Sequence, residues 1–333
     1  MNSTLVLTQF NNLTLDESSP QTDWELMPGL TLSTRKDRLQ TFLTEDVGLA
    51  IGTIGCRALQ DGGHFIFGVF SDTDLKEIFP PDCRQPQTTP MILETALVWL
   101  RSFLRASWLI KDNCISIEGA FAVYPHEGPT QVASSNSLYE LNITCNGQKS
   151  EECRLTVTEL SELIDLHNRV ETALWRCRDE HGDGLKGKNS RIVRCFEFLQ
   201  CARTSYSIPL RMAHYCSAFE ALFASGTTEL SHRLSERIAH FAGKTPEQRK
   251  TAYGIAKRAY ALRSQVVHGS SLPKKVIPNI HAMCRETDDL LRTILRRIIA
   301  EKEMLTLLSS PDEDIDAFFL DRLMGAVKDQ IKL

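Results

Sequence analysis

The sequence predicts an α+β chain of two domains, with a β-rich first half that contains one main helix and an all-helical second half. The length of 333 residues suits two domains, since one domain usually holds roughly 100–200 residues. After a polar stretch at 146–153, the apolar pattern changes from short runs between turn residues to a period of about 3.6 residues. Hydrophobic residues make up 42% and charged residues 24%, which excludes disordered and fibrous classes.

The first half, residues 1–150, alternates β-branched or aromatic runs with Gly, Pro and Asp. One helix is predicted to begin at Thr89-Pro90, because proline suits the first helical turn and leucines then recur on one face. No catalytic motif is found here, and Gly62-Gly63-His64 reads as a turn. We expect a sensing or regulatory domain whose trigger is unknown. Strands are predicted at STLVLTQF, LMPGLTLS, VGLAIGTIG, HFIFGVF and CISIEGAFAVY.

The second half predicts a helical bundle over residues 154–308, followed by an acidic helical tail at 309–333. Thr156 with Glu159, and Thr245 with Gln248, have the spacing of capping boxes and mark two helix starts. Further helices are predicted at 189–205, from Pro209 to Gly226, at 229–243 and from Pro278 onward. The last of these carries an apolar stripe made of Ile280, Met283, Thr287, Leu290, Ile294, Ile298 and Leu305.

Charge is distributed unevenly between the halves. Residues 1–150 hold 10 Lys and Arg against 17 Asp and Glu, whereas residues 154–308 hold 25 against 17. The basic excess of the helical half favours an anionic partner such as RNA, although a solvated basic surface has the same composition. The ten cysteines form no CxxC pair, so we predict reduced thiols in a cytoplasmic protein with no metal site and no cofactor. No signal peptide or membrane span is predicted.

The predicted helix from Thr245 to Gly269 carries the candidate catalytic residues. Arg263 falls on a stripe of small residues, where a guanidinium must be paired, bound to an anion or directed into a cleft. His268 would be turned about 140° from Arg263 in a continuous helix, but Gly269 predicts a helix end that redirects it beside Arg263. Together they would move a proton and stabilise charge on a phosphate. A buried Arg paired with a carboxylate and a His that caps the helix is the structural alternative.

The segment from Tyr260 to Gly269 resembles the signature of HEPN domains of the Apea-like branch, which is an Arg, a polar residue, a short spacer and a His. The similarity covers about residues 190–300 and includes Ala218–Phe223 and Leu230–Arg237. The resemblance implies a dimeric bundle that cleaves RNA without metal in a shared cleft, as a toxin or anti-phage effector. Arg263 would bind the scissile phosphate, His268 would act on the 2′-hydroxyl or leaving oxygen, and Ser264 would orient the pair. Some HEPN domains are catalytically silent, so a module that only binds nucleic acid or a protein is the alternative.

Two residues are predicted to support the site. Glu220 is a lone carboxylate in an apolar run, and we expect it to be a structural partner of an arginine rather than to tune catalysis. Tyr260 begins the signature. A homodimer is predicted from the single Arg and His set and from the apolar stripe. The residues predicted to bind RNA phosphates, each of which also fits a solvated helix face, are Arg233, Arg237, His240, Lys274 and Lys275.

Overall fold

The computed structural model describes residues 3–16, 22–71, 74, 89–124, 130–135, 141–177, 191–226, 230–269, 274 and 276–324. The chain divides into two compact units. Unit 1 comprises Met1–Asn142 and Lys149–Asn168, and unit 2 comprises Ile143–Gln148 and Arg169–Leu333. Residues 149–168 therefore belong to the first unit, although the sequence pattern already turns helical within them. In the described part of the chain, no helix combines the length and the apolar character that a membrane span needs.

Unit 1 is built on an antiparallel sheet. Its strands are β1 (Ser3–Thr8), β2 (Phe10–Asn11), β3 (Leu13–Leu15), β4 (Asp23–Met27), β5 (Leu30–Ser33), β6 (Phe65–Ser71), β7 (Ser116–Ile117), β8 (Ala120–Tyr124), β9 (Gln131–Ser135) and β10 (Cys153–Leu155). Six strands form the main sheet in the order β4-β5-β6-β1-β8-β9, while β2 pairs with β7 and β3 pairs with β10. Leu7 lies opposite Phe67 on β6 and Phe121 on β8, so apolar side chains of three neighbouring strands pack in one cluster.

The helices of this unit whose bounds the described residues give are α1 (Lys36–Phe42), α2 (Glu45–Asp61) and α3 (Thr89–Ser107). The helix predicted from Thr89-Pro90 is confirmed as α3, and its leucines are buried against the sheet. The strand predicted at VGLAIGTIG is wrong, because α2 occupies these residues. The Thr44 side chain caps α2, Glu45 and Asp46 stabilise its first turn, and Gly52 bends it at φ +82°. The half contains more helix than the single main helix that was expected.

The helices that follow are α4 (Val157–Cys177), α5 (Arg191–Thr204), α6 (Ile208–Phe223), α7 (Leu230–Ala242), α8 (Pro246–Val267), α9 (Ile280–Ala300), α10 (Lys302–Leu308) and α11 (Asp312–Leu323). Both predicted capping boxes are present. The Thr156 and Glu159 side chains bond each other's backbone N–H at 3.1 and 2.9 Å, and Thr245 and Gln248 do the same at the start of α8. The first part of α4 lies in unit 1, and the remaining helices form unit 2.

The long last helix is broken where the sequence predicted continuity. At Glu301 the backbone is extended, with φ −108° and ψ 106°, so α9 ends and α10 begins there. The stripe residues Thr287, Leu290, Ile294 and Ile298 are buried inside the chain's own core. These four residues therefore offer no surface to a second copy, and the predicted dimer rests on the single Arg and His set.

The acidic tail forms α11 and packs on the bundle. Three acidic residues occupy its first turn, where the positive end of the helix dipole favours them. Ile315 and Phe319 are buried, and the Phe319 ring meets the Phe223 ring edge-on with the centroids 5.5 Å apart. The tail is therefore an integral layer of unit 2.

Candidate functional site

Helix α8 positions the candidate catalytic residues. Ala252, Ala256 and Ala259 are buried on one face, and such small side chains allow α6 to approach closely. The helix ends as predicted: the His268 N–H bonds the Ser264 carbonyl at 3.1 Å, and Gly269 adopts φ +68°. The stripe and the end of α8 thus fix where each side chain of the site emerges.

Arg263 emerges beside Glu220 in the last turn of α6. The guanidinium Nη2 lies 3.4 Å from both carboxylate oxygens of Glu220, and the two side chains are 30% and 21% exposed. The guanidinium carbon lies 5.8 Å from the centre of the Tyr260 ring. The structure thus brings together three residues that the sequence had singled out. The contact to Glu220 is long, and the Arg263 side chain is only partly buried.

Tyr260 fixes the orientation of Glu220. Its hydroxyl lies 2.8 Å from Glu220 Oε1, to which it donates, and 3.3 Å from the Cys216 carbonyl. Burial, followed by the neighbouring Cys216 and Glu220, raises the pKa of Tyr260 far above its ordinary value, so the hydroxyl keeps its proton. Burial also raises the pKa of the Cys216 thiol, which Arg263 partly offsets. Sequence reasoning missed Cys216, which its position one helical turn before Glu220 could have revealed.

His268 is exposed at the C-cap of α8. The helix is unbroken to Val267, and the turn falls at Gly269, one residue after the histidine. His268 therefore stays about 140° around the helix axis from Arg263, as in a continuous helix. The expectation that the helix end redirects His268 beside Arg263 in the same chain is wrong. Ser264 and His268 instead share one exposed face at i and i+4.

The predicted RNA-binding stripe on α7 differs from expectation at Arg237. Arg237 is 7% exposed and donates to the Phe223 carbonyl at 2.6 Å, to Ser225 Oγ at 3.0 Å and to Asp316 of α11. Arg237 is therefore not part of a solvated face. A guanidinium removed from water needs oxygen acceptors from the protein, and these partners supply them. Arg233 is more exposed and lies 3.5 Å from the same Asp316 oxygen.

Asp316 is the carboxylate that neutralises this stripe. Burial acts to raise its pKa, but hydrogen bonds from Ser225 and Arg237 outweigh burial, so the pKa lies below its ordinary value. A cleft of about 260 Å³ lies between α7 and α11 and is lined by Arg233, Arg237 and Asp316. The positive charge of Arg233 and Arg237 is therefore already paired with the Asp316 carboxylate of the same chain.

The remaining predicted contacts are scattered. His240 is half-buried, and burial followed by the nearby Arg249 lowers its pKa. Lys274 is exposed, while Lys275 lies outside the described residues. Arg233 and Lys274 are thus the exposed cations among the predicted RNA contacts that the structure describes.

Comparisons with known proteins identify no relative of this chain. No family model, curated protein or solved structure matches this chain. The chemistry of the α6 and α8 side chains must therefore carry any functional proposal.

Proposed function

We propose that the helical unit is a metal-independent RNA endonuclease of the HEPN type, with Arg263 and His268 as its catalytic residues. One observation carries the proposal: Arg263 lies near the end of a long helix beside the oriented Glu220, and its side chain is 30% exposed with a contact of 3.4 Å to that carboxylate. A guanidinium in that state can bind a phosphate oxygen while Glu220 and Tyr260 keep it in place.

The proposed reaction uses the 2′-hydroxyl of RNA as the nucleophile. His268 takes the hydroxyl proton, the oxygen attacks phosphorus, and the bond from phosphorus to the 5′-oxygen breaks as the protonated imidazole gives that proton to the 5′-oxygen. The products are a 2′,3′-cyclic phosphate and a 5′-hydroxyl end. Arg263 stabilises the extra negative charge on the phosphoryl oxygens, and the Ser264 hydroxyl orients the histidine on its face of α8.

We propose that two copies of the chain complete one cleft. Within one chain, His268 and Arg263 face different directions on α8, so a His268 from a second copy is needed beside Arg263. A two-fold dimer forms this pairing twice, because each copy places its His268 beside the Arg263 of the other. The resemblance to HEPN domains implies the same arrangement. The acidic first half and its sheet would then act as the sensing part of a defence effector or toxin.

The direct experiment incubates the full chain with total RNA in EDTA. We expect cleavage that leaves cyclic phosphate ends, and a loss of at least about 100-fold in His268→Ala, the scale of general acid–base catalysis. His232→Ala is the matched control, because His232 is an exposed histidine of α7 and we expect no loss there. A strict requirement for Mg²⁺ or Mn²⁺, or full activity in His268→Ala, would contradict the proposal.

A catalytically silent binding module is the second candidate. The observation that favours it is the ion pair itself, because Glu220 already supplies the negative charge that a phosphate would bring to Arg263. The two candidates differ in one measurement. A silent module binds RNA, as read by fluorescence anisotropy, and leaves it intact after long incubation with freshly purified chain.

A further inference from the structure

Unit 1 contains an open cleft of about 690 Å³, which is the size range of small-molecule sites. It lies where the chain between β1 and β3 passes the end of α2 and the turn between β7 and β8. Gln9, Asn11, Asp61, His64, Glu118 and Lys149 contribute its polar groups. Sequence reasoning treated this region only as a turn before a strand.

Two buried acceptor atoms at the cleft lack partners. His64 is 4% exposed, and burial lowers its pKa to about 4, so the ring is neutral near pH 7. The ring bonds the backbone of Phe10, while Nε2 has no hydrogen-bond partner among the described residues. Because Nδ1 of this neutral ring carries the proton given to the Phe10 carbonyl, Nε2 is an acceptor. Gln9 Oε1 is likewise buried and unpartnered within the described part of the chain.

The backbone around these acceptors is specialised for close approach. A Cβ atom at Gly62 would lie 2.3 Å from Gln9 Oε1 and 3.0 Å from the His64 carbonyl oxygen, so a larger residue there would displace the Gln9 side chain. Asn12 adopts φ +61°, which is uncommon for a residue with a side chain, and its amide donates to the Cys114 and Lys149 carbonyls at 3.0 and 3.3 Å. The backbone of the cleft wall is therefore held in place by hydrogen bonds that use neither His64 Nε2 nor Gln9 Oε1.

The charges of the cleft define what it can accept. Asp61 and Glu118 outnumber Lys149, and no arginine lines the cleft, so an anionic ligand such as a nucleotide phosphate is disfavoured. The deepest polar groups, His64 and Gln9, are neutral acceptors that require N–H or O–H donors. Apolar side chains from the same segments, among them Leu13, can cover a ring.

We propose that this cleft binds an uncharged small molecule of nucleoside size whose exocyclic amino group donates to His64 Nε2 and Gln9 Oε1. Both atoms are closed to water in this structure, so the Gln9 side chain must move for a ligand to reach them, and its Oε1 accepts from the amino group in the new position. Two otherwise unpaired acceptors gain donors in the complex, which favours ligands with the amino group over those without it. The site stands in unit 1 and does not depend on RNA cleavage by unit 2.

Isothermal titration calorimetry on the full chain tests the proposal with matched probes. Adenosine and cytidine carry the amino group, whereas inosine and uridine have a carbonyl oxygen in its place. We expect at least one amino nucleoside to bind with a Kd below about 1 mM, and at least tenfold more tightly than its carbonyl counterpart. Absence of binding by both amino nucleosides, or equal binding of a pair, overturns the proposal.

Two variants locate the binding within the cleft. His64→Phe and Gln9→Met remove one acceptor each while keeping the volume, and each is expected to weaken binding at least tenfold. His167→Phe is the matched control, since His167 is a buried histidine of the same unit whose Nε2 lies 2.7 Å from Ser102 Oγ outside the cleft. Unchanged affinity in Gln9→Met overturns the proposal, and this variant decides the matter if His64→Phe does not fold.

Discussion

The two units bury ionisable side chains of different kinds. Unit 1 buries the histidines His64 and His167, whose pKa values burial lowers to about 4. The helical unit buries arginines instead, and these cannot lose their charge, so each needs oxygen partners. The first unit is therefore sensitive to acid, while the second is sensitive to the loss of a partner. The buried arginines of unit 2 are Arg191, Arg203, Arg211 and Arg237.

Within unit 2, this comparison separates Arg263 from the structural arginines. The Arg237 side chain is 8% exposed and contacts a carbonyl, a hydroxyl and the Asp316 carboxylate. Arg263 is 30% exposed and has one carboxylate at 3.4 Å. A structural guanidinium has its donors used by the protein, whereas a binding guanidinium keeps donors available. Three of the four experiments below test this distinction, and the other tests the acid sensitivity of unit 1.

The largest effect on stability is expected for Arg237→Ala. Removing this buried guanidinium leaves the Phe223 carbonyl without its donor and takes one partner from the half-exposed Asp316 carboxylate, which together costs about 2–4 kcal/mol of unfolding free energy. Urea denaturation followed by circular dichroism measures the change. Arg233→Ala is the control, because Arg233 pairs with the same Asp316 from an exposed position and should cost less than about 1 kcal/mol. Equal losses in the two variants would remove the distinction.

Acid is expected to destabilise unit 1 through its histidines. The folded-state pKa of His167 is about 4 and lies below the ordinary value of 6.5, so the unfolded chain binds a proton first as the pH falls. Stability is present above pH 6.5 and is lost between pH 6.5 and about 4, by up to about 3 kcal/mol per histidine. Calorimetry at pH 7 and 4.5 measures this, and His167→Gln should flatten the pH dependence. An unchanged slope in that variant would show that His167 does not contribute.

Arg263→Ala is expected to change stability by less than about 1 kcal/mol, because its ion pair with Glu220 is partly exposed and long. RNA cleavage should nevertheless fall at least about 100-fold, since the charge that stabilises the phosphoryl oxygens is gone. Thermal denaturation and cleavage are measured on the same preparation. A large fall in Tm would assign Arg263 to the structural class together with Arg237.

The smallest effect is expected for Glu220→Gln. The amide oxygen keeps the hydrogen bond from Tyr260, but the negative charge that competes with phosphate is removed. We expect RNA affinity to rise about two- to fivefold, as suits a partly exposed ion pair. Anisotropy titration with a 2′-deoxy-substituted RNA measures binding without cleavage. Weaker binding would indicate that Glu220 positions Arg263 more than it competes with RNA.

Local signals predicted most of the helix starts. Thr156 with Glu159, and Thr245 with Gln248, mark helices because a cap depends on residues only three positions apart. The segment at VGLAIGTIG was misassigned, since its apolar residues suit a strand, whereas the cap at Thr44 and the bend at Gly52 allow a helix. The helical spacing of apolar residues in α9 likewise continues past Glu301, so the sequence pattern did not indicate the break there.

Long-range pairings could not be predicted from such signals. The burial of Arg237 depends on Asp316, which is 79 residues away in the chain, so a basic stripe on α7 looked like a solvated face. In the candidate site, Glu220 was identified as a lone carboxylate in an apolar run, Arg263 as a charge on a stripe of small residues, and Tyr260 as the start of the signature. Which of several arginines Glu220 would meet depended on the packing of α6 against α8.

The packing of α11 on the bundle also constrains how the helical unit is synthesised. Arg191 and its partner Asp312 are 121 residues apart, so α11 leaves the ribosome long after α5. Until then, the guanidinium groups of Arg191 and Arg237 lack the carboxylates that α11 brings to them. The helical unit can thus complete its charge pairing only after α11 has been synthesised. A nascent chain stalled before Asp312 would carry a basic, incompletely packed bundle.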